Sequence, residues 1–138
     1  MENELTRILR RHSRSLATEL AAQLASRSTS LHRKVDPAVL SVRCRMLMEA
    51  LIRSTHMGSE QLGEFVGTIT ERRLAEGIDL EDLQRALRAL EVIAWRAVAN
   101  ESSLDSLRAN LTALNTTMGY ARDELARASQ AHADAAAS

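Results

Sequence analysis

Leu5, Ile8, Leu9, His12, Leu16, Leu20 and Leu24 recur at alternating spacings of three and four, a period that places them on one face of a helix predicted from about Glu2 to Ser26. The polar run R-S-T-S-L-H-R-K-V then breaks the pattern and reads as a loop. Asp36 followed by Pro37 starts the next helix: the carboxylate accepts from a free amide of the first turn, and the proline lacks an amide where none is needed. Leu40, Cys44, Leu47 and Leu51, backed by Met48 and Ile52, mark the buried stripe of this second helix, which ends in T-H-M-G-S around Gly58. A third helix is predicted from a cap at Ser59 to Glu76, with Leu62, Phe65, Val66 and Ile69 facing inward. Its Gly63 and Gly67, four residues apart, either let another helix approach closely or simply weaken this one.

The stretch from Glu71 to Val98 closes that helix and opens a fourth. Gly77, after L-A-E, can take the left-handed backbone common at helix ends, and Asp79 then offers a capping oxygen. Ile78 and Leu83 are spaced for a hydrophobic staple, while Glu81 and Asp82 suit the positive end of the helix dipole. Leu80, Leu83, Leu87, Leu90, Ala94 and Ala97 form the apolar stripe, with Arg85, Arg88 and Glu91 off it, as far as about Asn100. After E-S-S, Leu104, Leu107, Leu111, Leu114, Met118, Ala121, Leu125 and Ala128 hold a heptad seam, longer and more regular than a globular core requires. Such a seam predicts a partner helix. Its side chains shrink toward Q-A-H-A-D-A-A-A-S, a helix that frays or continues into something else. The expected architecture is all-α: one bundle of about five helices, residues 1–103 forming the body and 104–138 a dimerisation and output helix in the same domain.

Composition supports that reading, with one proline, five glycines and few aromatic residues. Eighteen acidic residues balance eighteen basic ones, against the basic excess of a nucleic-acid binder. Arg7, Arg10, Arg11, Arg14, Arg27, Arg33 and Lys34 outnumber Glu2, Glu4 and Glu19 near the N-terminus, a solvated face, since no aromatic side chains are interleaved to stack on bases or anchor in a membrane interface. Nothing resembles a membrane span or a signal peptide, so a cytoplasmic protein is expected. Cys44, the only cysteine, excludes an internal disulfide and a multi-thiolate metal site. It is expected inside a helix packing face; were it exposed, Arg43 and Arg45 would lower its pKa and suit it to redox sensing.

No motif carries catalysis, and the chain is read as a non-enzyme without cofactor or metal. His12, His32, His56 and His132 fall on separate elements with no i, i+4 pairing. His12 lies on an apolar stripe, where a partly buried, hydrogen-bonded histidine is the ordinary outcome; the alternatives are a phosphoacceptor or a haem ligand. The H-S-R-S-L-A that follows it lacks the lysine and glycine usual in phosphotransfer bundles, and Phe65, Trp95 and Tyr120 are few aromatics for a haem pocket. Capping and dipole interactions account for Glu71, Glu76, Asp79, Glu81 and Asp82, and no phosphate loop or nucleophile elbow appears. Cys44, Met48, Phe65 and Trp95 are the candidate lining of a sensing pocket.

The residues E-R-R-L-A-E-G-I-D-L-E-D-L-Q-R-A-L-R-A-L, preceded by L-G-E-F-V-G-T-I, resemble the N-terminal domains of RsbR-type stressosome co-antagonists and related sensor histidine kinases, the likeness running from about Leu40 to Val98. The resemblance implies an all-helical domain, globin-like in some members and without haem, that dimerises and signals through a C-terminal helix to a regulatory or kinase domain. The downstream domain that carries that family's phosphorylated residues has no counterpart here, so no phosphosite is carried over. The expected function is a non-catalytic sensory module of bacterial stress or two-component signalling, paired through Leu104, Leu107, Leu111, Leu114, Met118 and Leu125; the alternative is histidine phosphotransfer through His12.

Overall fold

The computed structural model describes residues 2–27 and 35–138, and every regular element among them is an α-helix. The loop expected around His32 lies outside the described residues. α1 spans Glu4–Arg11, α2 Ser13–Arg27, α3 Pro37–Met57, α4 Glu60–Ala75, α5 Leu80–Glu101 and α6 Leu107–Ala137. The single first helix expected from the leucine period is thus two. His12 leaves the helical region at the end of α1, with φ −102° and ψ 8°. The Ser15 hydroxyl donates to the His12 carbonyl at 3.0 Å, beside the Leu16 amide at 2.9 Å, a side-chain bond of the kind that bends helices. Both segments still bury the predicted face: Leu5, Ile8, Leu9, Leu16, Leu20 and Leu24 are all interior.

Helix starts follow local chemistry in part. Asn3 caps α1, its Oδ1 accepting from the Thr6 amide at 2.8 Å, and Asp36 caps α3 through the Ala38 amide at 2.7 Å. Ser59 and Asp79 occupy the N-cap positions of α4 and α5, but their side chains accept no capping bond. The α4 start is satisfied from across the fold instead, because the Leu62 amide donates to the buried hydroxyl of Ser54 on α3. At the other end of α4, Gly77 has φ 92°. Its amide bonds Leu74 and that of Ile78 bonds Arg73, the paired closure of a Schellman end, and Ile78 is buried.

α2, α3, α4, α6 and α5, in that spatial order, close into a ring in which each helix packs on two neighbours, with α1 lying against α3 and α5. The most extensive contact is α4 on α6. There the glycine pair has a steric role: a Cβ on Gly63 would lie 3.2 Å from the Tyr120 carbonyl oxygen, and one on Gly67 3.1 Å from Glu124 Oε2. Leu20, Met48, Leu51, Leu62, Leu90, Leu114 and Met118 fill the centre of the ring. Glu4 ties its end shut, accepting from the Asn110 amide group at 2.9 Å and from the Ser103 backbone and hydroxyl.

α6 begins at Leu107 rather than Leu104, and its seam faces inward. Leu114, Met118, Ala121, Leu125 and Ala128 are buried against the chain's own helices, Leu107 and Leu111 are half-buried, and Leu104 stands 92% exposed in the loop before the helix. The proposed division at 103/104 therefore runs through one shared core. Leu114→Ala should destabilise the fold by about 2–5 kcal/mol, the usual cost of emptying a buried leucine site, while Leu104→Ala should stay within about 0.5 kcal/mol. Urea unfolding of the two variants measures both; equal effects would mean that α6 is not held as described.

Candidate functional site

A groove of about 910 Å³ opens between α5 and the last third of α6. Its α6 wall includes the small residues Ala126, Ser129 and Ala133 together with Arg122, Leu125 and Gln130, and its α5 wall includes Leu80, Leu87 and Val92. Its rim carries charge of both signs, with Arg85 2.7 Å from Glu81 and Arg122 2.8 Å from Glu91. Val92 in the α5 wall is 45% exposed and Trp95, farther along α5, 48%, apolar surface that a monomer leaves in water.

The candidate sensing residues are not brought together around one cavity. Cys44 and Met48 are sealed in the core, Phe65 packs against it, and Trp95 lies on the outer face of α5. An interior pocket between Leu47, Val66, Ile69, Leu83 and Leu87 is about 50 Å³, against roughly 300–1,000 Å³ for a typical ligand site. Burial pushes the Cys44 thiol up to about 11, opposite to the lowering that exposed neighbouring arginines would give. Of the six residues expected to pair copies, Leu114, Met118 and Leu125 are engaged within the chain, so only the remainder and the outer helix faces are open to a partner.

His12, at the α1–α2 bend, is partly exposed, and its Nε2 lies 3.1 Å from Glu101 Oε1. It lines a shallow cleft of about 180 Å³ with Glu19, Arg96 and Glu101, where Arg96 pairs with Glu19 at 3.1 Å. Among the described residues no three His, Cys, Asp or Glu side chains are grouped to hold a metal, and no helix is long and apolar enough to cross a membrane.

One arrangement escaped the sequence reading. Glu76, expected to serve the helix end, is shared by two arginines: Arg43 of α3 reaches its Oε1 at 3.3 Å and Arg73 its Oε2 at 3.3 Å. Arg43 Nη1 is buried without an acceptor, and an unsatisfied buried donor costs about 1–3 kcal/mol. Burial first, then the charge of Arg43, hold Arg73 below its ordinary pKa, only partly offset by Glu76. Thirty-three residues separate Arg43 from Glu76, so no local pattern announces the pair.

Comparison with protein-family models, curated proteins and solved structures found no match to this chain. The surfaces themselves are therefore the basis for a functional reading.

The Cys44 environment has two measurable consequences. A disulfide reagent at about pH 8 should label the thiol only after the chain is unfolded, since a buried, protonated thiol is a poor nucleophile. The unfolded thiol ionises near 9.0 and the folded one near 11, so both are protonated below that window and the stabilising difference is fully present there. As pH rises from about 9 to about 11 stability should fall, by at most about 1.4 kcal/mol per pH unit, and Cys44→Ala should remove that component of the slope. Rapid labelling of the native protein would contradict the burial.

Proposed function

We propose that this chain is a non-catalytic regulatory module that pairs with a second copy through the outer faces of α5 and α6 and passes the state of its bundle to a partner protein or an attached regulatory or kinase domain. The single observation that carries this reading is the α5–α6 groove with Val92 and Trp95 exposed beside it. Tryptophan is enriched among the residues that dominate interface energetics, and a small-residue wall lets a helix approach closely. A second copy suits the groove because a two-fold pairing sets the same surface against itself, and a rim bearing Glu81, Glu91, Arg85, Arg88 and Arg122 offers both signs to its twin. In this arrangement a ligand that prefers one packing of the bundle shifts the paired population and so the response of the effector. The resemblance to stressosome and sensor-kinase domains supports such a role in bacterial stress or two-component signalling, and a cytoplasmic location is part of the proposal.

Histidine phosphotransfer through His12 is less well supported. The Glu101 carboxylate beside Nε2 puts negative charge where a phosphoryl group would have to arrive.

Sedimentation tests the pairing. The wild-type chain at about 100 µM should run as a dimer, and a Val92→Glu Trp95→Glu variant as a monomer with unchanged helicity, because a charge desolvated in an interface costs several kcal/mol. A monomeric wild type at that concentration overturns the reading.

A further inference from the structure

We propose that the paired guanidiniums of Arg43 and Arg73 form a binding site for an oxyanion, a phosphate or carboxylate group, in which the Glu76 side chain is the resident place-holder. Elsewhere among the described residues each paired arginine has at least one contact of 2.7–3.1 Å: Arg10 with Glu2 at 2.8 Å, Arg85 with Glu81 at 2.7 Å, Arg96 with Glu19 at 3.1 Å, Arg122 with Glu91 at 2.8 Å and Arg127 with Glu124 at 2.9 Å, the longer 3.5 Å approach of Arg85 to Asp82 being a second contact of an arginine already paired. Here two cations divide one carboxylate, and the separations lengthen to 3.3–3.5 Å. A well-formed charge-assisted bond is about 2.7–2.9 Å, so Glu76 reaches both arginines only by compromise. It leaves Arg43 Nη1 without any acceptor and the cluster with one uncompensated positive charge, to which the neighbouring Arg72 adds repulsion on Arg73.

Both cations are held in place by the fold. Arg43 stands on α3 and Arg73 on α4, and their side chains are only 23% and 14% exposed, so the fork between them is set by helix packing and is screened little by solvent. Glu76 is different. Its side chain is 38% exposed, and it ends α4 through its backbone, whose amide bonds the Arg72 and Arg73 carbonyls. The side chain can swing outward without unwinding the helix, and doing so opens both guanidiniums to an incoming anion. An oxyanion with two or three acceptor oxygens then bridges the two arginines and supplies the acceptor that Arg43 Nη1 lacks.

The test is anion binding by the whole chain, read as a melting-temperature shift with inorganic phosphate or acetate against sodium chloride of equal ionic strength, and as affinity by calorimetry. Phosphate or acetate should stabilise the wild type beyond chloride; the stronger of the two identifies the ligand class. Glu76→Gln, which removes the competing charge, should tighten binding several-fold. Arg43→Gln should weaken it by about tenfold or more, the equivalent of one charge-assisted bond. Circular dichroism confirms that each variant is folded. Should Arg43→Gln fail to fold, the comparison of wild type with Glu76→Gln decides alone. Equal response to chloride and to both oxyanions in the Glu76→Gln protein overturns the site, as does unchanged affinity in a folded Arg43→Gln protein.

Discussion

The packing of α6 on α4 closes the ring, and the rest of the architecture depends on how near the two helices come. Gly63 and Gly67 set that approach: with a Cβ at either position, contacts of 3.1–3.2 Å would push Glu124 and the Tyr120 backbone away. The short separation brings Leu114, Met118, Ala121 and Leu125 within reach of Leu62 and Val66, and each large apolar side chain buried there contributes about 1.5–3 kcal/mol. Glycine in a helix interior costs about 1 kcal/mol relative to alanine, so close approach has to recover more than the two glycines lose.

Closure of the ring decides which surfaces remain for function. With its seam facing inward, α6 has a register fixed by α4, and a change of state cannot consist of that seam sliding against a twin. It has to move α6 as a packed element or change what covers the outer faces of α5 and α6. The groove lies where α6 presents Ala126, Ser129 and Ala133 between the longer Arg122 and Gln130, so another helix can approach that part of its wall without disturbing the core beneath.

Much of the architecture was legible because a stripe with a period near 3.6 residues is local information. Leu40, Cys44, Met48 and Leu51 on α3 and Leu87, Leu90 and Ala94 on α5 are interior as their spacing requires. Gly77 likewise takes the positive φ that its position after L-A-E demands. What was not legible depends on partners distant in sequence. A heptad period says that a stripe meets another helix but not whose, so Leu114 and Met118, expected to pair with a second copy, pack inside their own chain instead. The bend at His12 rests on Ser15 and on its neighbour Glu101, and the start of α4 draws on Ser54 rather than Ser59. Neither the groove, whose Ala126 and Ser129 lie off the predicted seam, nor the exposure of Trp95 had a trace in the pattern. The Arg43–Glu76 pairing joins helices whose adjacency no period encodes.

The two surfaces singled out by the fold meet at one corner. Glu76 ends α4, and Leu80 and Glu81, a few residues on, already line the groove. Between them Gly77 and Ile78 close the helix end with backbone bonds, and the Ile78 side chain is buried. α4 and α5 are joined there by this short turn, and α3 is tied to it electrostatically through Arg43. With no anion between them, Arg43 and Arg73 repel; with Glu76 or another oxyanion in place, they are drawn together. An anion bound in the fork as proposed would bias the spacing of α3 from the α4–α5 corner, and the short turn would pass that bias toward the groove wall. Such coupling is limited to the difference in free energy with which the occupant binds the two spacings, and it acts equally in reverse, so closing the groove would alter the hold of the fork on its anion.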